Sequence, residues 1–234
     1  THYRIGFLLY ENSSANQLED AIFDVVNQMN LGLNLFESKT EKLALARLNL
    51  IAGRKAKASS AYDMAVDYLK IAHMQLDQNC WLSFFQLTFD INKELAECNY
   101  LVGHFEEAEQ TFKLLIHKAS SKSEKADIYQ IRLKLYTAIG KFDESVKAGI
   151  EGLKLFGFRV AKNPNKALLA FLILKTKWHL RKLKPVDLAS LPLVTDPENI
   201  WVLKFFENLV MPSYLSGKDY LLLSVGLRAL DHSL

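Results

Sequence analysis

The strongest constraint on this chain is a spacing that occurs twice. Leu95–Phe112 reads LAECNYLVGHFEEAEQTF and Leu133–Gly149 reads LKLYTAIGKFDESVKAG. Each places a Gly, an aromatic two residues on, and a small residue three further: Gly103, Phe105, Ala108 and Gly140, Phe142, Ser145. No reaction chemistry requires that pattern, but helix packing does. A Gly ending one helix supplies a left-handed or close-packed backbone, and the aromatic fills the cleft to the next helix. The small residue lets the two helices approach.

Composition points the same way. Ten Gly and five Pro in 234 residues are too few for a sheet with many turns, and the frequent Leu, Ala, Lys and Glu favour helix throughout. The expected fold is all-α. Helices are predicted at His2–Tyr10, Leu18–Phe36, Leu43–Ser59, Tyr62–Leu76, Trp81–Val102, Glu106–Lys118, Glu124–Ile139 and Phe142–Phe156. Short loops make successive helices antiparallel neighbours. Cys80 and Cys98 are too few for a disulfide framework, so a reducing cytoplasmic setting is expected. The longest aliphatic run, Ala167–Leu174, is far short of a membrane span. The chain starts at Thr1 with no signal peptide, and the expectation is a fragment of a longer soluble protein.

The repeated phrase resembles the tetratricopeptide repeat, with a small residue in the first helix, Gly and aromatic at the turn, then Ala, a large apolar and another small residue. One copy uses Ala96, Gly103, Phe105, Ala108 and Phe112; the next uses Tyr129, Tyr136, Gly140, Phe142, Ser145, Gly149 and Gly152. An earlier copy aligns as Gly53, Ser60, Tyr62, Ala65, Leu69 and Ala72. The aromatic recurs at 62, 105 and 142, intervals of 43 and 37 against about 34 in a standard repeat, so the helices are lengthened. What the resemblance implies is an α-solenoid of antiparallel helix pairs, a right-handed superhelix. Residues 1–234 would be one helical-repeat domain: a helix pair at 1–38, three repeats at 41–157, and a basic helix with a degenerate helix pair at 158–234.

A second resemblance rests on HYRIG at His2, IFDVVNQMNLG at Ile22, LARLNLIAGRKAKASSAY at Leu45, ELAECNYLVGHFEEAE at Glu94 and VTDPE at Val194. In this order the phrases look like the helical-repeat region of large bacterial signalling proteins that join a serine/threonine kinase, a STAND-type predicted ATPase, this region, a GAF domain and a sensor histidine kinase. The resemblance implies a sensing or relay arm after the nucleotide-binding domain. It carries over no catalysis. The runner-up is a freestanding peptide-binding adaptor.

No catalytic, cofactor or metal residues are assigned. AGRKAKASSAY lacks the second Gly followed by Lys and Ser or Thr that a phosphate loop needs; Ala52, Gly53, Ala56, Ala58, Ser59 and Ser60 instead read as a packing surface, with Arg54, Lys55 and Lys57 as a solvated basic edge. The six His are scattered without a His-Glu-x-x-His pattern, Cys98 reads as a buried small residue, and Glu106 and Glu107 point to different helix sides. The inner positions counted from each turn Gly are Asp90, Lys93, Glu97, Gln130 and Lys134, whose mixed charges do not suit a carboxylate clamp but leave open a groove for a peptide or small ligand.

From Gly152 to Val186 there are nine Lys or Arg and no Asp or Glu, a local excess of positive charge. NKALLAFLILKTKWHLRKLKP reads as an amphipathic helix ending in Lys177, Arg181, Lys182 and Lys184. No aromatic series is interleaved with the lysines, so docking to a neighbouring protein domain is expected rather than nucleic-acid binding. The relatives are often acidic here, and no role transfers to this helix from them. Asp196 and Pro197 predict a helix start, Pro212 a bend or stop, and Gly226 and Ala229 small packing positions in a last helix. Leu222, Leu223, Leu227 and Leu230 of that helix would need a further helix to cover them.

Overall fold

Helix starts in this chain follow their capping chemistry. Ser38 and Ser121 each accept from the backbone N–H three residues on while Glu41 and Glu124 return the bond, closing two capping boxes. Asn165 accepts from the Leu168 N–H, and Asp196 from the Asn199 N–H with Pro197 at the first turn. The computed structural model describes residues 2–12, 15–36, 38–181 and 194–233. It contains α1 His2–Glu11, α2 Ala15–Asn30, a 3₁₀ turn at Leu33–Leu35, α3 Lys39–Ala58, α4 Tyr62–Met74, α5 Cys80–Ser83, α6 Phe85–Leu101, α7 Phe105–Lys118, α8 Lys122–Ala138, α9 Phe142–Lys154 and α10 Lys166–Leu180. Two more helices, α11 Pro197–Leu215 and α12 Asp219–Ser233, complete the described residues, among which there is no strand.

Five helix ends share one device. Ser60, Gly103, Gly140, Gly157 and Gly217 all have positive φ, and the N–H of the residue after each reaches back five positions: Ala61 to Ala56, His104 to Asn99, Lys141 to Tyr136, Phe158 to Leu153, Lys218 to Ser213. This is the Schellman closure, which satisfies a carbonyl the helix itself leaves open. Four of the five lead within two residues into the next helix of a pair.

The chain divides into two units, Thr1–Lys118 and Ala119–Leu234. In the first, α1 packs on α2, α2 on α3, α3 on α4 and α6 on α7, and α6 touches both α3 and α4. Its core includes Ile22, Val25, Leu45, Ala52, Ala56, Leu69, Ile91 and Cys98. Gly53 allows the α3–α4 contact, because a Cβ there would stand 2.6 Å from Leu69 Cγ. In the second unit α8 pairs with α9 and α11 with α12, and α11 touches both α8 and α9. Gly149 and Gly152 make room for it: a Cβ would fall 2.5 Å from Leu209 and 2.2 Å from the Phe205 ring. In each unit, then, the first helix of a later pair lies against both helices of the earlier one.

Several expectations change. The single helix over 81–102 is broken at Phe84, whose φ of −138° and ψ of 46° leave the helical region while its ring packs on the first unit's core. The helix predicted to Phe36 stops at Asn30. Pro212 does not stop α11, which runs three residues further to Leu215. Phe105 is 37 % exposed and meets Tyr100 edge-on at 4.9 Å, so it covers the α6–α7 cleft rather than sinking into it, while Ala108 and Phe112 are fully buried. Gly226 faces open space rather than a packed helix.

Candidate interaction surface

The basic edge of α3 is paired, not solvated. Arg54 and Lys57 stand one helical turn apart, and across from them α6 presents Asp90, Glu94 and Glu97 at spacings of four and three, one face of the helix. Arg54 donates through Nε to Glu94 Oε1 at 2.9 Å and pairs with Asp90 at 3.2 Å. Lys57 donates to Glu94 and, at 3.0 Å, to Glu97. Glu94 is buried and holds the centre of the network.

The charges hold one another ionised. Burial alone would raise the Glu94 carboxyl, but hydrogen bonds and charge from Lys57 and Arg54 outweigh it and keep it below the usual carboxylate range. Burial lowers Lys57 and Arg54, and the carboxylates reverse that, leaving both above their ordinary values. Cys98 is in the first unit's core, and its thiol is pushed up to about 12 by burial, with Lys57 pulling it down and Glu94 and Glu97 raising it further. Such a thiol stays protonated and does not act as a nucleophile near neutral pH.

Beside this network a groove of about 500 Å³ is lined by Arg47, Leu50, Ile51, Arg54, the 83–87 stretch and Asp90. The break at Phe84 gives it its shape, since α5 and α6 meet there. Its lining combines the apolar Leu50, Ile51, Phe84, Phe85 and Leu87 with the Arg54–Asp90 pair.

The residues singled out from sequence fall in several places. Asp90 and Glu97 join the ion network, Lys93 is half-buried on the same helix, and Lys134 is exposed on α8. Gln130 lies inside the second unit, 5 % exposed, accepting from Asn208 at 3.2 Å, and so is withdrawn from any surface. Lys177 and Arg181 are exposed at the end of α10; Lys182 and Lys184 lie outside the described residues. Sequence reasoning read Arg54 and Lys57 as a solvated edge and passed over Glu94. The signal was present, as two cations a turn apart on one helix and three carboxylates on one face of another, but their meeting depends on α3 packing against α6.

In the second unit Asp143 pairs with Lys218 and with Lys162 at 3.7 Å, beside a depression of about 390 Å³ lined by Lys162–Pro164 and Gly217–Leu221. Among the described residues no group of His, Cys, Asp and Glu could hold a metal ion, and no helix is long and apolar enough to cross a membrane.

The chain is similar to the hybrid signal transduction histidine kinase G of Dictyostelium discoideum, with 30 % identity over 145 residues, 58 % of this chain. It spans only 4 % of that protein's length. No family model matches, and no solved structure does.

Proposed function

We propose that this chain is an α-solenoid of tetratricopeptide-like helix pairs serving as the non-catalytic sensor or relay arm, and protein-interaction scaffold, of a large cytoplasmic signal-transduction kinase. The observation that carries this reading is the packing of α6 on α3 and α4, and of α11 on α8 and α9, while left-handed turns close the pairs α3–α4, α6–α7, α8–α9 and α11–α12. Stacking a new pair on both helices of the last is how helical repeats build an extended binding surface. The similarity to a histidine kinase of which the chain spans 4 % supports a place within a much longer signalling protein. The proposal keeps the arrangement of bacterial signalling proteins with a STAND-type ATPase that the sequence phrases resemble, although the similar histidine kinase is from Dictyostelium discoideum. The partners proposed are neighbouring domains of the same protein or a peptide, not nucleic acid.

The test is made in the full-length protein. Its reading frame should carry a nucleotide-binding domain and a histidine-kinase core beside this segment, and deleting residues 1–234 should leave phosphotransfer by the core intact while abolishing its response to stimulus. Kinase activity in the isolated chain, or an unchanged response after deletion, would overturn the reading. A second reading, a freestanding adaptor, is favoured by the groove at Phe84. A reading frame without kinase domains, with peptide binding lost on Arg47→Glu, would select it.

A further inference from the structure

Helix α10 is apolar on two sides. One side, with Leu169, Leu172 and Thr176, is buried, and the packing partner is α12. Asp231 of α12 grips it there by pairing with Lys175 and His179. The other side is open: Phe171 is 61 % exposed, Leu174 67 % and Trp178 56 %. With Ala167 these residues fall at i, i+4, i+7 and i+11, within about 60° of one another around the helix. On one flank of that stripe stands Lys175, and on the other Lys166, Lys177 and Arg181, all exposed. No carboxylate occurs on α10.

We infer that this stripe docks on an anionic lipid bilayer. A helix held in the fold by one face while its opposite face shows Phe, Leu and Trp beside the row Lys166, Lys177 and Arg181 has the chemistry of an interfacial helix, its apolar ridge entering the headgroup boundary and those three cations meeting lipid phosphates and carboxylates. Trp178 sits at the cationic end, where an amphipathic ring suits the interface. Ion pairing with an acidic protein domain would use the cations but would not call for three large exposed apolar side chains beside them. The stripe is a ridge about 16 Å long, on a helix anchored along its other side. This inference stands apart from the relay function and survives or fails independently of it.

The experiment is co-sedimentation of the 234-residue chain with phosphatidylcholine vesicles, with and without phosphatidylserine. Binding is expected only to vesicles containing phosphatidylserine and should weaken as salt is raised. A Phe171→Ser, Leu174→Ser, Trp178→Ser variant and a Lys166→Glu, Lys177→Glu, Arg181→Glu variant should each reduce it on the order of tenfold or more. Both alter exposed side chains, and circular dichroism matching the parent will show that they fold; Leu82→Ser, at an exposed leucine in the other unit, should bind as the parent does. Equal binding to both vesicle types, or no binding to either, overturns the inference. So does self-association or protein capture by the parent, without vesicles, that the serine variant loses, which would assign the stripe to a protein contact.

Discussion

Glu94 is the residue on which Arg54 and Lys57 converge, and these neighbours decide what a change there does. Replacing it with Gln removes the charge facing Lys57 and Arg54 and weakens two charge-assisted bonds, so Glu94→Gln should cost about 1–3 kcal/mol in urea unfolding. The value is kept below that of a wholly buried pair because the Arg54 side chain is 43 % exposed. The pH dependence has a definite sign. The Glu94 carboxyl is depressed in the folded chain, so its contribution is present above the ordinary carboxylate range and is lost as pH falls through the folded value. Acid should therefore destabilise the parent more than Glu94→Gln, and parallel urea midpoints from neutral pH into the acid range will check it. Four residues along, Cys98 should stay unlabelled by a thiol reagent at neutral pH until urea unfolds the chain, since its protonated thiol is buried.

At the scale of the element, helix ends and helix contacts make opposite demands on small residues. Ser60 occupies the left-handed position that Gly103 and Gly140 occupy at the corresponding turns. Ser60→Gly should therefore stabilise by about 0.5–1 kcal/mol and Gly140→Ala should destabilise by about 1 kcal/mol, both read as shifts in thermal midpoint. A Cβ added at Gly140 would meet nothing within 4 Å, so the cost there is purely one of backbone angle. Gly152 is the reverse case. Its helical backbone accepts any residue, but Phe205 occupies the space, and Gly152→Ala should cost about 1–3 kcal/mol by overpacking. Gly226, which reads in sequence as the same kind of position, faces open space, and Gly226→Ala should stabilise by about 0.5–1 kcal/mol. Ala108→Trp, at a fully buried contact of α7, should destabilise by about 1–3 kcal/mol; a parent-like midpoint would contradict that packing. The turns were legible because a left-handed residue and its flanking aromatic are local demands. The break at Phe84 was not, since 81–102 is helical in local pattern and only the pull of the core on one ring interrupts it.

Across the whole molecule, the described residues form two helical units and offer no cradle of backbone amides between a strand and a helix for nucleotide phosphates. Titration calorimetry with magnesium and ATP should show no stoichiometric binding to the isolated chain; a saturable heat would contradict the non-catalytic reading. Charge is distributed unevenly at this scale, with Arg54 and Lys57 of the first unit drawn into the network around Glu94 and the cations of α10 left mostly at the surface. High salt should therefore disturb binding by α10 far more than the stability of the first unit, because partly buried pairs are screened less than exposed ones.

Local chemistry determined the helical class, the capped starts at Ser38, Ser121 and Asp196, and the left-handed ends at Gly103 and Gly140, because each depends on residues within one turn of itself. Tertiary structure alone decided that Arg54 and Lys57 meet Glu94, forty and thirty-seven residues away, that Gln130 is inside, and that α10 buries one apolar face and shows another. In sequence α10 reads as an amphipathic helix, but its apolar residues lie on two sides, and nothing in its own sequence says which of them finds a partner. That choice is made by the helix that packs against it, because burial is a property of the neighbours and not of the side chain.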